Sequence, residues 1–128
     1  MARVSTVGLE IAEEKLDRLG RDGIRKIVEA GSTAVRASME ELTREYGHVR
    51  TGELIRSIRA GKLYESYHGA SQNVDFEGMH QGGITNHDLA YIIDNGHRDR
   101  FVTGNEARTE EAATRAMQAE SDRILAEN

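Results

Sequence analysis

The sequence of 128 residues contains no cysteine, no proline and no tryptophan. The absence of cysteine excludes disulfide bonds, thiolate metal ligands and cysteine nucleophiles. No apolar run approaches the roughly 18 residues of a membrane span, and the first residues lack the charged and apolar regions of a signal peptide. We therefore expect a soluble protein that is made in the cytoplasm.

Large apolar side chains are also scarce. Leu, Ile, Val and Phe together account for 26 of the 128 residues, and the aromatic residues are four Tyr and two Phe. This composition lies close to the limit at which a charged chain buries enough apolar surface to fold. We expect one domain over residues 1–128, with a thin core to which the aromatic residues contribute much of the bulk. Contacts with further copies or with partners would complete the burial.

Charge of one sign does not dominate any part of the chain. The sequence has 17 basic and 22 acidic residues, a formal net charge of −5, which argues against a general nucleic-acid binder. Fourteen of the basic residues are arginine. The planar guanidinium suits interface ion pairs and phosphate contacts, whereas a coding bias toward arginine explains the same count. Composition leaves both interpretations open.

Two amphipathic helices are predicted, one at each end of the chain. In the region 8–46 apolar residues recur with helical spacing, and Gly20 and Gly23 predict a bend within it. Gly47 predicts its C-terminal end. The second helix is predicted over 105–127, with Thr103 or Asn105 as its cap and an apolar face that includes Ala113, Ala116, Met117, Ile124 and Leu125.

The middle of the chain, 54–96, is predicted to hold strands and loops. Residues 57–67 alternate with a period near two, which predicts a strand, and 74–78 form a possible short strand. The compact apolar run within 88–95 suits a strand or a short helix, and its length favours the strand. We therefore expect an α+β fold, in which both helices pack on one face of a small antiparallel sheet of about three or four strands.

Candidate catalytic and metal sites are weak. No two of the five histidines are four residues apart on a predicted helix, and the nearest grouping is His87, Asp88, Asp94 and His97. Neither Ser57 nor Ser66 lies in a nucleophile motif. The glycine-rich loop 78–86 does not lead into a helix with the lysine that phosphate-binding loops carry. These observations favour a protein that is not an enzyme and has no cofactor and no metal.

Two segments carry more information than the rest. In residues 51–58, the Thr51 hydroxyl can cap a helical turn, Gly52 supplies backbone freedom, and Leu54 and Ile58 can point into the core. In residues 91–104, an apolar run leads into a loop of alternating charges and then to Phe101. That loop is either a polar connection with Phe101 folded into the core, or a protruding arginine-rich surface that meets another subunit.

At these segments the chain resembles phage head-tail joining or tail-completion proteins, the gene-product-ten-like group of long-tailed phages and prophages. Members have an N-terminal amphipathic helix, a Thr-Gly-x-Leu-x-x-Ser-Ile segment, a Tyr-x-x-(acidic or polar)-x-Gly-(His or Thr)-Arg segment and a Phe-Val-x-Gly element before the last helix. The matching residues here are Thr51, Gly52, Leu54, Ser57, Ile58, Tyr91, Asp94, Gly96, His97, Arg98, Phe101, Val102 and Gly104. The prolines that members carry near these motifs are absent, and Val49-Arg50 and Thr103 stand in their places.

The resemblance implies a non-enzymatic structural subunit in virion assembly, acting as a homo-oligomer, typically a ring. Its partners would be further copies and phage connector or tail proteins, with no membrane and with DNA only passing through a channel. It would be found in the host cytoplasm during assembly and then in the virion, at the head-tail junction or the upper end of the tail.

Residue roles follow from the same resemblance. The expected structural supports are Thr51, Gly52, Leu54, Ser57, Ile58, Tyr91 and Gly96. The expected contacts with subunits or partners are His97, Arg98, Arg100, Phe101, Val102 and Gly104, together with the loop 78–86. Arg98 and Arg100 flank Asp99, a pattern better suited to ion pairs between subunits than to a nucleic-acid stripe.

Two other classes stay open at this point. A small regulatory or nucleic-acid-binding phage protein would use an arginine patch of Arg50, Arg56, Arg59, Arg98 and Arg100. A metalloenzyme would use the histidine and aspartate residues of the grouping within 87–97, and it would retain a metal ion on purification.

Overall fold

A computed structural model of the protein describes residues 2–5, 13–48, 52–66, 69–80, 83–96 and 100–127. The elements in these ranges are β1 (Ala2–Ser5), α1 (Glu13–Glu45), α2 (Glu53–Arg56), β2 (Ile58–Ser66), β3 (Gly69–Phe76), α3 (Asn86–Tyr91) and α4 (Glu106–Glu127). A π-helical turn, Ile92–Gly96, continues α3, and a 3₁₀ turn, Thr103–Asn105, leads into α4. The predicted α+β class is confirmed.

The long helix α1 is bent and capped by glycines. Gly20 has φ 66° and ψ −179°, a conformation outside the helical region, so the bend predicted near 20–23 is confirmed. At the other end Gly47 has φ 78°. The N–H groups of Gly47 and His48 donate to the carbonyls of Arg44 and Thr43 at 3.0 and 2.9 Å, which is the Schellman pattern. Residues 8–12 of the predicted helix lie outside the described residues.

The sheet has three antiparallel strands in the order β1-β3-β2. Ile58 pairs with Phe76, and the register shifts between Ala60 and Leu63. The region 54–96 supplies two of these strands rather than the three or four expected there. The third is the four-residue β1, where Ala2 pairs with Val74. So short a strand has no periodicity of its own, and the pairing with β3 alone defines it.

The strand predicted within 88–95 is wrong, because this segment is helical. Its buried residues recur four positions apart, on one side of α3 and the π turn: Asn86, Ala90 and Asp94. The Oγ1 atom of Thr85 accepts a hydrogen bond from the Asp88 N–H at 3.0 Å and caps the helix. An apolar run of five residues is compatible with a strand and with a helix. The cap formed by Thr85 favours the helix.

Helix α1 contacts the sheet on one side and α4 on another. Towards the sheet, the Ser32 hydroxyl donates to Oε1 of Gln72 at 2.6 Å. Towards α4, the Ser38 and Thr109 hydroxyls are 2.8 Å apart. Helix α4 packs along α1 and not directly on the sheet, so α1 is the long helix that covers the sheet. The prediction that both long helices pack on the sheet is therefore correct for α1 only. Within the described part of the chain, no helix is long and apolar enough to cross a membrane.

The core is mainly aliphatic. Phe76 and Phe101 are buried, whereas Tyr46, Tyr64 and Tyr91 are exposed, so the expectation that the aromatic residues as a group fill the core is wrong. A tyrosine hydroxyl needs a hydrogen-bond partner or water. Because the core is thin, a tyrosine ring can cover it from outside while its hydroxyl stays in contact with water. The largest other buried side chains are Ile27, Val28, Met39, Leu42, Ile58 and Val74.

The start of α4 is tied to the end of α1 by an exposed ion pair. The guanidinium of Arg108 lies 2.8 Å from the carboxylate of Glu45 and 3.3 Å from that of Glu41. The hydrogen bond from Arg108 is the main cause that lowers the pKa of Glu45 below its ordinary value of 4.5. Because both side chains are exposed, water and salt screen their attraction. The pair therefore contributes little to the free energy of unfolding and serves mainly to orient the two helix ends.

Replacing Gly47 by alanine should lower the free energy of unfolding by about 1 kcal/mol, because the left-handed backbone at this position strains any residue with a Cβ. No atom lies within 4 Å of the position that a Cβ would occupy, so the loss is conformational and not steric. Urea unfolding measures it. Gly47→Asn is the matched control and should lose less, since asparagine tolerates this backbone; equal losses would contradict the explanation.

The ion pair also predicts a pH dependence. Because the pKa of Glu45 is lowered in the folded chain, the pair stabilises the fold above pH 4.5, and this contribution is lost as the pH falls through the folded pKa. The Glu45→Gln variant should therefore lose slightly less of its thermal stability between pH 5 and pH 3 than the unchanged chain, as measured by Tm at the two pH values. Glu110→Gln, at an exposed position of α4, is the control and should follow the unchanged chain.

Candidate interaction site

The connection from α3 to α4 is organised by one buried carboxylate. Asp94, in the π-helical turn, is fully buried. Its Oδ1 atom accepts hydrogen bonds from the N–H groups of Val102 at 2.8 Å and Thr103 at 3.0 Å, and its backbone carbonyl accepts one from the Arg100 N–H at 3.0 Å. Asp94 therefore holds the far end of the loop that includes residues 97–99, which lie outside the described residues.

This arrangement corrects the predicted cap of the last helix. Neither the Thr103 nor the Asn105 side chain caps the last helix. Instead, the Asp94 carboxylate accepts hydrogen bonds from the N–H groups of Val102 and Thr103, just before the helix begins. The Asn105 amide donates to the Phe101 carbonyl at 3.1 Å and to the Tyr46 hydroxyl at 3.0 Å. A carboxylate near the start of a helix also interacts favourably with the positive end of the helix dipole.

The same segment is under local strain. Within the described part of the chain, Oδ2 of Asp94 is buried without a hydrogen-bond partner. Arg100 has φ 48°, the left-handed region that side chains other than glycine and asparagine seldom adopt. A Cβ at Gly104 would lie 3.1 Å from the Cβ of Arg100, so the chain is tightly folded here. Strained backbone and unsatisfied buried groups concentrate at functional sites, which marks this segment as a candidate.

Phe101 anchors the loop from inside. Its side chain is fully buried, and its ring centroid lies 6.1 Å from that of Phe76, 4.9 Å from that of His48 and 6.4 Å from that of Tyr46. Val102 is also buried. Of the two interpretations of the 91–104 segment, Phe101 therefore follows the one in which it folds into the core. Phe101 and Val102, expected as contact residues, support the loop from within.

Other residues of the segment face outwards. Tyr91 is 58% exposed and Ile92 45% exposed, and Arg100 is exposed as well. Tyr91, expected as a structural support, therefore contributes to the surface and not to the core. Gly96 ends the π-helical turn. His97 and Arg98 lie outside the described residues. The described residues of the segment therefore expose two large apolar side chains, Tyr91 and Ile92, and the arginine Arg100.

The described part of the 51–58 segment contributes to the core and joins the sheet where Ile58 pairs with Phe76. Gly52 has φ 70° and begins α2, and a Cβ there would lie 2.7 Å from an Arg56 nitrogen. Leu54 and Ile58 are buried, as predicted. The hydroxyl of Ser57 donates to the Leu54 carbonyl at 2.6 Å and ends the helical turn. Thr51 lies outside the described residues, so its predicted capping role stays a prediction.

The described residues of the glycine-rich loop 78–86 form the two arms of a hairpin, in which Met79 pairs with Thr85. Gly78 and Gly83 both have positive φ, and the His80 N–H donates to the Ile84 carbonyl at 2.7 Å. Asn86 is buried and donates to the Glu77 carbonyl at 2.9 Å, which fixes the base of the hairpin. Met79, which pairs with Thr85 across the hairpin, is 61% exposed. It is a large apolar side chain at the surface.

The geometry gives little support to a metal site at the histidines or to a nucleic-acid-binding patch at the arginines. His87 lies 2.6 Å from the Asp75 carboxylate, and no group of three or more metal-ligating side chains occurs among the described residues. Arg56 and Arg59 line a shallow cavity of about 370 Å³ together with Glu53 and Glu77. These carboxylates offset the positive charge that a nucleic-acid patch requires. Arg50 and Arg98 lie outside the described residues.

Two functional features were missed from the sequence. The role of Asp94 depends on residues eight and nine positions later, and no local pattern encodes it. The helix at 86–91 had a signal, because Thr85 and Asp88 form a Thr-x-x-Asp pair in front of an apolar run, which is a typical helix start.

No protein-family model matches the sequence, and no curated protein and no solved structure is significantly similar to it.

Asp94 gives a prediction about stability. Asp94→Ala should lower the free energy of unfolding by about 3 kcal/mol, because it leaves two amide groups without an acceptor and opens a cavity. Asp94→Asn keeps an oxygen for both N–H groups and removes a buried charge, so it should cost about 1 kcal/mol or less. Urea unfolding of the two variants tests this order. If asparagine costs as much as alanine, the hydrogen bonds to Oδ1 do not hold the loop.

Proposed function

We propose that the protein is a non-enzymatic structural subunit of phage or prophage virion assembly, which acts as an oligomer in head-tail joining or tail completion. The resemblance of three ordered motifs to phage head-tail joining or tail-completion proteins suggests this class. The observation that carries the proposal is the 86–104 segment, where Asp94 and Phe101 are buried and Tyr91, Ile92 and Arg100 face outwards.

An assembly role explains why the exposed groups are apolar as well as charged. Tyr91, Ile92 and Met79 are more than 40% exposed, in a chain whose supply of large apolar residues is small. Interfaces are enriched in tyrosine, methionine and arginine, and depleted in lysine. A subunit that meets several neighbours would bury these side chains in the assembled particle.

The proposed partners follow from this role. The subunit would contact further copies of itself, in a ring, and a connector or tail protein. It would be made in the host cytoplasm and end in the virion, at the head-tail junction or the upper tail. DNA would pass through the ring without specific contacts, which suits a chain with net charge −5.

The test is the removal of the gene from the phage or prophage that encodes the protein. Particles produced without it should show filled heads separated from tails in electron micrographs, with infectivity reduced at least 100-fold. Supplying the unchanged chain from a plasmid should restore joined particles. Normal infectious particles from the deletion strain would overturn the proposal.

A point variant sharpens the same experiment. Plasmid-supplied Tyr91→Ser should restore infectivity poorly, because it removes an exposed aromatic contact, while Tyr64→Ser should restore it fully. Tyr64 is a matched control, since it is 54% exposed but lies on β2. Purified protein that binds DNA at low salt, and loses the binding steeply as salt rises, would instead support the nucleic-acid-binding alternative.

A further inference from the structure

The turn that follows α3 exposes an asparagine directly before a glycine. Asn95 is exposed, and Asn95 and Gly96 are the last two residues of the π-helical turn. The Cγ atom of an asparagine can close a ring with the backbone nitrogen of the next residue, and glycine has no Cβ that hinders the approach. This pair is therefore a candidate for reaction of a side chain with its own backbone.

The reaction is an intramolecular deamidation that needs only water. The Gly96 nitrogen forms a bond to Cγ of Asn95, the bond from Cγ to Nδ2 breaks, and ammonia leaves with the proton of the Gly96 N–H. Water then opens one of the two C–N bonds of the resulting succinimide ring, which gives aspartate or isoaspartate. Asparagine and water are thus converted to one of these residues and ammonia, and nothing is oxidised or reduced.

The other asparagines of the described chain are placed less favourably. Asn73 is exposed, but it lies in β3, and the branched side chain of Val74 crowds the nitrogen that would attack. Asn86 is buried, and its amide donates to the Glu77 carbonyl at 2.9 Å. The Asn105 amide donates two hydrogen bonds and precedes a glutamate. Asn95 therefore combines exposure with an unhindered neighbouring nitrogen.

The folded turn restrains this reaction. The Nδ2 atom of Asn95 donates to the Tyr91 carbonyl at 3.2 Å, and a helical backbone directs the Gly96 N–H toward the preceding turn and not toward Cγ. Ring closure therefore requires the turn to open locally. Asp94 opposes this opening, because its buried Oδ1 atom accepts hydrogen bonds from two backbone N–H groups just before α4.

Opening of the turn costs less free energy than unfolding of the whole chain. Arg100 has φ 48°, and Oδ2 of Asp94 is buried without a hydrogen-bond partner among the residues that the structure describes. Both features raise the free energy of the closed segment, so their release offsets part of the cost of opening. Segments of this kind open locally without global unfolding.

We propose that Asn95 is a site of spontaneous deamidation, and that the hydrogen bonds to Asp94 control its rate by holding the turn closed. The modification is independent of any partner. Either product adds a negative charge next to the buried Asp94, and isoaspartate also lengthens the backbone between Asp94 and Arg100. The Arg100 N–H donates to the Asp94 carbonyl at 3.0 Å in the unmodified chain. The longer backbone therefore disrupts the closure of this loop.

Mass spectrometry of the full-length chain tests the site. The purified protein is incubated at mildly alkaline pH and then digested briefly with trypsin, which releases residues 63–98 as a single peptide that contains Asn73, Asn86 and Asn95. Fragment ions assign the deamidation to each position, and an isoaspartyl methyltransferase labels isoaspartate. The expected rate at Asn95 is at least five-fold that at Asn73, the exposed control. Equal rates at the two positions would overturn the proposal.

Gly96→Ala is the matched variant for the chemistry. Alanine favours the helical backbone and adds a Cβ beside the attacking nitrogen, so the rate at Asn95 should fall at least five-fold while the rate at Asn73 stays unchanged. If the rate at Asn95 does not fall, ammonia is not lost through attack by the Gly96 nitrogen, and the proposal is wrong.

Two comparisons test the control by Asp94. Unfolding of the unchanged chain in urea should raise the rate at Asn95 at least five-fold. Asp94→Ala should raise it several-fold in the folded protein, whereas Met117→Ala, which truncates a buried side chain in the middle of α4, should raise it less. Circular dichroism checks that each variant is folded before incubation. Equal rates in the folded and the urea-unfolded chain, or equal effects of the two alanine variants, would show that Asp94 does not control the reaction.

Discussion

The burial of α1 from two sides is the constraint on which the rest of the structure depends. With few large apolar residues, the chain cannot build two separate layers of core, and α1 serves both the sheet and α4. Ser32 bonds to Gln72 on β3, and Ser38 bonds to Thr109 on α4. Small polar side chains thus lie at both contacts and let the elements approach closely, while Ile27, Met39 and Leu42 fill the interior. The small number of aliphatic residues is sufficient for a core because the same helix, α1, packs against the sheet on one side and against α4 on the other.

The functional segment is attached to this core at a few points. Phe101 contacts Phe76 of β3 and His48 at the end of α1, and Asp94 joins the π turn to the entrance of α4. Between these anchors the chain adopts a positive φ at Arg100 and leaves Oδ2 of Asp94 without a partner among the described residues. Such costs persist only where the surroundings enforce them. Here the surroundings are the buried ring of Phe101 and the two hydrogen bonds to Oδ1 of Asp94.

The arginines of α4 form ion pairs within the chain. Arg115 lies 2.9 Å from Glu111, Arg108 pairs with Glu45, and Arg123 pairs with Glu120 and Glu127. The hydrogen bond from Arg123 lowers the pKa of Glu120, as that from Arg108 lowers the pKa of Glu45. Arginine on this helix thus serves the fold of the single chain.

Local patterns in the sequence were sufficient for the two long helices, the bend at Gly20, the end at Gly47 and the strand β2. Each of these depends on residues within one or two turns, or on a positive φ that glycine alone adopts easily. Only the tertiary structure decided that the apolar run at 91–93 is helical, that β1 joins the sheet, and that three tyrosines remain at the surface. The use of Asp94 belongs with these, since its hydrogen-bond donors arrive from beyond a loop. Such features depend on contacts between distant segments, whose free energy no local periodicity expresses.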